Sequence, residues 1–318
     1  VVTPLDVLVT EPVMTRFADV LTRDGTSAHR WTFGREPQGS PQVLVCSATT
    51  PEELAALPDL RLVHVTGAGV DKIPDLPAGI GLANTSHHGR SIAEHVLTVT
   101  SVLRRGLLPS DRRMREGLWR NAVVEETYPF GRTLHGARMG VVGFGEIGTE
   151  VARLALAVGM RVHAVRRDPA APKPPGLEEV RTGTDLHEVL AGSDVVVVTI
   201  PLTTGTRGLI GAAELAAMPT DAVLVNVARG PVVDERALHD ALRTGTIGGA
   251  GIDVWWRNPR EPGNPPPSTL DFTGFDNVVL TPHQSGHTDE TFRGRARDIT
   301  DNVDALAQGR ALRNLVVR

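Results

Sequence analysis

Several side chains able to act on a small anionic molecule stand directly after short apolar runs. Arg229 follows AVLVNVA, Asp253 follows GGAGI, His283 follows NVVLTP, and Pro201 follows DVVVVTI. Arginine can clamp a carboxylate and polarise a carbonyl, histidine can hand over a proton near neutral pH, and a carboxylate can hold an amide. An open parallel sheet binds ligands at the carboxyl ends of its strands, and a chance scatter would not place these residues there. A second constellation is GVVGFGEIG, in which Gly143, Gly145 and Gly148 have G-x-G-x-x-G spacing after an apolar strand. The motif opens a helix, because Val151, Leu154, Ala155 and Val158 follow at i, i+3, i+4 and i+7. Such glycines permit a tight turn and close backbone approach, so that helix N-terminal amides can hold a pyrophosphate. The bland alternative is a glycine-rich packing turn. Strand before and amphipathic helix after favour a dinucleotide.

The next strand, RVHAV, ends in Arg166 and Arg167, eighteen and nineteen residues after Gly148. NAD-binding chains place an acid about 20 residues on, for the ribose 2′-hydroxyl. An arginine there would grip a 2′-phosphate by charge-assisted hydrogen bonds, so NADP(H) is favoured over NAD(H). Asp168 is the counter-argument, since a strand end two residues later would make it the acid.

The elements that must position these residues form two series. DVLVT, QVLVCS, RLVHVTGAG and IGLANT alternate with helix-like stretches over the first ninety residues, and a second series runs from MGVVG through RVHAV, DVVVVTI, AVLVNVA and GGAGIDV to NVVLTPH. Strands spaced for crossover connections predict parallel sheets, hence an α/β fold of two doubly wound domains. Ser91 and Glu94 in SIAEHVL have the spacing of a capping box that starts a helix, and a domain boundary is expected there. The tail from Ser285 carries an amphipathic helix and no strand, and is expected to pack on the first domain. The boundaries read from this are 1–91 with 285–318, and 92–284.

The 318 residues are 41% apolar and 22% charged with a formal charge of −4, which suits a soluble globular chain with a small-molecule site and gives no electrostatic reason to expect nucleic acid or a membrane surface. One cysteine, Cys46, excludes an intramolecular disulfide. Without a leader-like or membrane-length apolar run, a cytoplasmic location is expected. The basic stretch RRGLLPSDRRMREGLWR is read as a solvated helix face or a subunit contact. His283 and His287, four apart, have no cysteine or acidic partner in a fitting motif, so no metal is expected.

Together TGAGVDKI, SIAEHVL, VVGFGEIG, TIPLTTGTRGLIG, NVARGPVVDERAL, GAGIDV and TPHQSG, spread over nearly the whole chain, resemble the D-isomer-specific 2-hydroxyacid dehydrogenase family. The resemblance implies a Rossmann nucleotide domain inserted in a flavodoxin-like substrate domain, a cleft where the two meet, and usually a homodimer. It implies that Arg229 binds the substrate carboxylate and polarises a 2-oxo group, that His283 is the acid/base, and that Asp253 binds the nicotinamide carboxamide. Glu146, Ile147, Pro201, Thr206, Val227 and Ala228 join the glycines, Arg166 and Arg167 as implied cofactor contacts, and Ala68, Gly69 and His88 are implied on the substrate side. The reaction implied is hydride transfer between NAD(P) and C2 of a small 2-oxo acid.

One position departs from the pattern. Where these dehydrogenases carry a glutamate that pairs with the histidine, this chain has Asn258, within GIDVWWRNP. Formate dehydrogenases of the family also carry an amide there, and formate oxidation moves no proton, so that reaction is a rival; against it stand Ala68 and His88, where those enzymes have a bulky aliphatic residue and an asparagine. With His87 and Arg90 these suggest a roomier, more polar pocket, and Trp255 and Trp256 either wall it or pack in the core. A nucleotide-sensing protein of the corepressor type is a further alternative, which the retained Arg229 and His283 disfavour. An amide can orient an imidazole but does not raise its pKa as a carboxylate does. Reduction by this chain should therefore fade early as pH rises past the ordinary imidazole value of ~6.5. Asn258→Glu should move that limb of the kcat/KM profile to higher pH, and an unmoved limb would rule out the pairing.

Overall fold

The computed structural model describes residues 3–23, 29–167, 177, 179–181, 183–257 and 265–316; Asp168 and Asn258 lie outside them. The chain divides into two compact units, Val1–His88 with His287–Arg318, and Gly89–Gly286.

The first unit is built on β1 (Asp6–Val9), β2 (Arg30–Phe33), β3 (Val43–Cys46), β4 (Leu62–Val65) and β5 (Gly81–Ala83), all parallel, in the order β2-β1-β3-β4-β5. This is the flavodoxin-like order. Its apolar runs are continuous because both faces are covered. Val7, Val9, Val43 and Val45 pack with Phe292, Ala296, Ile299 and Val303 of the helix Asp289–Ala307. Leu8, Leu44, Val63 and Val65 face the other way, toward Leu54, Leu57 and Leu60. Burying a side chain such as Ile299 completely contributes about 2–3 kcal/mol. β2 is absent from the apolar runs seen in the sequence because it is a half-exposed edge strand, RWTF, of which only Trp31 and Phe33 pack on the core.

The second unit holds seven parallel strands: β6 (Arg138–Val142), β7 (Arg161–Val165), β8 (Glu179–Arg181), β9 (Val195–Val198), β10 (Val223–Asn226), β11 (Gly249–Ile252) and β12 (Val278–Leu280). Their order, β12-β11-β10-β9-β6-β7-β8, reverses direction between β9 and β6, which is the doubly wound nucleotide-binding arrangement and makes that pair the topological switch point. The three-residue edge strand β8 was not expected from the sequence; it is too short and polar to show a pattern.

The capping box expected at Ser91 and Glu94 does not form. The helix Gly89–Arg104 starts two residues earlier, the buried Ser91 hydroxyl donates to the Ser285 carbonyl at 2.7 Å, and Glu94 pairs with Arg90. A buried carbonyl left without a donor is costly, and the Ser91 hydroxyl meets that need instead of capping the helix. The same spacing does cap a helix at Thr50 and Glu53, where both reciprocal bonds of the box are present. In the stretch read as a solvated face or contact, the helix Leu107–Arg115 buries none of its residues.

The helix Asp289–Ala307 is also tied to its unit by polar bonds. His29 Nε2 meets Asp304, His87 Nε2 meets Asp298, both at 2.9 Å, and the Asn302 amide donates to His64 Nε2 at 2.9 Å and to the Arg313 carbonyl at 3.0 Å. Arg313 N–H donates back to Asn302 Oδ1, which fixes the amide's orientation and makes His64 Nε2 an acceptor, so the imidazole is neutral. Burial pushes its pKa down from 6.5 to about 4. Between those values the unfolded chain binds the extra proton, so the stability is complete above pH 6.5 and is lost as pH falls toward 4, by up to about 3 kcal/mol. Urea midpoints should fall across this window, and His64→Leu should flatten the fall.

Candidate functional site

The candidate residues of the second unit stand just past strand ends. Gly143 follows β6 with φ +98°, a conformation open to glycine, and its N–H donates to the Val165 carbonyl. A Cβ at Gly148 would overlap the Gly143 carbonyl oxygen, whereas one at Gly145 would meet nothing within 4 Å. The turn is thus closed against the protein and open toward a ligand. Thr199 Oγ1 donates to the Gly143 carbonyl at 2.6 Å, and the helix Glu146–Ala157 begins at once, its N-cap Gly145 supplying no side-chain cap to the N–H groups of the first turn. This backbone meets the requirements of a pyrophosphate cradle. Ile147 is half-buried; Glu146 is exposed, with its side chain close to Gly89.

Arg166 follows β7, half-buried, its guanidinium carbon 5.7 Å from the ring centroid of Phe144 in the glycine turn, and Arg167 is exposed. That stacking places a cation beside the turn. Pro201 follows β9, and Thr206 Oγ1 donates to its carbonyl at 2.7 Å while accepting from Thr203 N–H at 2.8 Å. The Thr206 hydroxyl therefore closes its own loop.

Arg229, Asp253 and His283 follow β10, β11 and β12, three neighbours paired in register through Asn226, Ile252 and Leu280. Arg229 is half-buried; Val227 and Ala228 before it are buried. Asn226, missed in the sequence reading, braces this turn: its side chain accepts from Ala228 N–H and donates to the Arg229 carbonyl, both at 3.1 Å. Its signal was a buried amide ending an otherwise apolar strand. Gly230 is required next to it because a Cβ would overlap the Trp255 backbone.

Asp253 is 1% exposed. Burial raises its pKa, but hydrogen bonds from the Ser285 and Thr281 side chains and the Gln284 and Ser285 amides outweigh this and hold the carboxyl below its usual range. Its carboxylate is thus spent largely on the turn carrying His283. His283 itself is exposed, with φ +54°, a left-handed conformation that costs a non-glycine residue roughly 1–2 kcal/mol. Neither tryptophan indole N–H is free for a ligand: Trp255 donates to the Thr281 carbonyl and Trp256 to the Val233 carbonyl. Trp256 stacks on Phe272, and both pack against the core of this unit.

Ala68, Gly69 and His88, expected on the substrate side, belong to the first unit. Ala68 is exposed and Gly69 half-buried in the loop after β4, and Asn84 donates to the Ala68 carbonyl at 2.8 Å. His88 is buried, with Nδ1 at 3.1 Å from the Ser86 carbonyl oxygen, and His87, engaged by Asp298, lies against Gly294. His287, in this unit too, packs near Phe292, and among the described residues no group of three or more His, Cys, Asp or Glu side chains could hold a metal.

Residues 97–285 match the family model of the D-isomer specific 2-hydroxyacid dehydrogenase NAD-binding domain. The glycerate dehydrogenase of Methylorubrum extorquens is 35% identical over 81% of this chain and 80% of its own length. The (S)-sulfolactate dehydrogenase of Chromohalobacter salexigens is 37% identical over 79% of each. Among solved structures, the D-isomer specific 2-hydroxyacid dehydrogenase of Xanthobacter autotrophicus in complex with NADPH and MES superposes with a TM-score of 0.81 at 30% identity, covering 99% of this chain and 98% of that one. With the glycine turn, the switch-point topology and these likenesses in agreement, the chain belongs to the D-isomer specific 2-hydroxyacid dehydrogenase family, enzymes that use NAD(P).

Proposed function

We propose that this enzyme works as a reductase, taking a hydride from NADPH in preference to NADH and producing the D-2-hydroxy acid from a small 2-oxo acid. The observation that carries the reading is the pair Arg229 and His283 on in-register strand ends of the nucleotide unit. A dinucleotide held by the glycine turn would supply the hydride from its nicotinamide. Arg229 holds the substrate carboxylate and draws electron density from the 2-oxo group, and His283 gives its proton to the carbonyl oxygen as carbon accepts the hydride. Ala68, Gly69 and His88 are proposed on the substrate side.

Arg166 beside the glycine turn supports the NADPH preference, as does the NADPH in the solved Xanthobacter relative. A second anionic group on the substrate is supported by the polar His88 and by likeness to a sulfolactate dehydrogenase. A homodimer is proposed through the second unit, where Trp119, Val123 and Phe130 are 71%, 93% and 83% exposed. Large apolar side chains left this exposed on one short stretch of chain suit an interface.

Consumption of NADPH and NADH should be followed with glyoxylate, hydroxypyruvate, phenylpyruvate and sulfopyruvate, with formate and each oxidised cofactor in parallel. Faster turnover with NADPH is expected, with Arg166→Asp reversing the preference and Arg229→Ala lowering kcat/KM about a hundredfold or more. Turnover of formate alone would instead assign proton-free hydride transfer, and nucleotide binding without turnover would favour the sensor. Sedimentation equilibrium should return twice the mass of one chain, falling to one mass in Trp119→Asp; a monomeric wild type would overturn the dimer.

A further inference from the structure

Beyond β12 the chain turns around a single side chain. Thr281 Oγ1 donates to Asp253 Oδ1 at 2.7 Å, Gln284 N–H to the same oxygen at 2.8 Å, and Ser285 N–H to Oδ2 at 3.1 Å, while His283 N–H donates to the Asp253 backbone carbonyl at 2.8 Å. The two consecutive amides reach one carboxylate beside a left-handed residue at 283, the type of backbone concavity that receives an anion. Pro282 contributes no N–H, so its neighbours must hold the turn. The far end is fastened separately: the buried Ser91 hydroxyl, from the helix Gly89–Arg104, donates to the Ser285 carbonyl at 2.7 Å. At least three of about four acceptor positions on the Asp253 carboxylate are therefore occupied by this turn.

We propose that Thr281 and Ser91 are positioning residues for His283: together with the Asp253 carboxylate as acceptor they hold the Thr281–Ser285 turn with His283 in its left-handed conformation. The inference rests on the reading of His283 as the proton donor. Neither hydroxyl has a role in the substrate or cofactor contacts proposed above. Removing one lets the turn relax toward ordinary right-handed conformations, which moves the imidazole's attachment point. A misplacement of this kind is expressed in turnover, because the proton must arrive along a set direction. Nucleotide affinity, set by the glycine turn after β6, is left almost unchanged.

Thr281→Val keeps the branched shape and removes the donor, Thr281→Ser keeps the donor, and Ser91→Ala releases the far end. Two readouts are needed: steady-state kinetics with the best 2-oxo acid, and amide hydrogen exchange at Gln284 and Ser285. Thr281→Val should lower kcat on the order of ten- to a hundredfold with the nucleotide KM within about twofold of wild type, and Thr281→Ser should recover most of the loss. Both amides should exchange faster in Thr281→Val and Ser91→Ala, and at the wild-type rate in Thr281→Ser. Unchanged kcat and exchange in Thr281→Val would overturn the inference, as would a raised nucleotide KM with kcat retained, which would make the cluster a cofactor contact. Should wild type reduce no 2-oxo acid, the proposed function fails while the exchange rates still decide the clamp. Should Thr281→Val not fold, Ser91→Ala decides by the same two readouts.

Discussion

The middle of the seven-stranded sheet is covered on both faces: Val195, Val196, Val197 and Val198 of β9 are all fully buried, alternating between two apolar clusters. A strand in that position has no exposed face on which to carry chemistry, and parallel alignment puts all carboxyl ends along one edge. The remaining site geometry follows from that constraint. The glycine turn, Arg229, Asp253 and His283 each occupy the first few residues past a strand end, and their spacing is inherited from strand register. The sheet is the rigid body that keeps residues more than a hundred positions apart in sequence at fixed separations.

Strand ends alone do not define side-chain positions, and the structure assigns that task to buried and half-buried polar groups. Asn226 stiffens the turn under Arg229, Thr199 the turn under Gly143, and Asp253 the turn under His283. Each is a polar group in an apolar setting, which is expensive unless fully bonded, and each is bonded to backbone. Gly230 adds the complementary device: the Arg229 turn and the Trp255–Trp256 backbone approach so closely that no side chain fits between them.

Much of this was legible in the sequence for a physical reason. Parallel strands buried on both faces produce uninterrupted runs such as DVVVV, and glycine spacing is imposed by backbone geometry, so both leave a local trace. β2 and β8 left none, because edge strands have no obligation to be apolar. The Ser91 spacing misled because a capping box is a local pattern, while the Ser285 carbonyl that claims the hydroxyl is 194 residues away. Asp253 stands out in the sequence by its place after GGAGI, but its bonds to Thr281, Gln284 and Ser285 depend on the pairing of β11 with β12, which no local pattern encodes.

The first unit takes its strands from the beginning of the chain and its covering helix from the end. During synthesis, the face formed by Val7, Val9, Val43 and Val45 must wait until Phe292, Ala296, Ile299 and Val303 have been made, and the last pairing, Ala83 with Leu315, waits longer still. The intervening unit has all its own strands before that point. Domains ordinarily complete themselves from the N-terminus onward at about 5–20 residues per second. Here the order is reversed: the nucleotide unit can be whole while the earlier-made sheet still shows water one uncovered apolar face, for roughly 10–60 seconds at that pace.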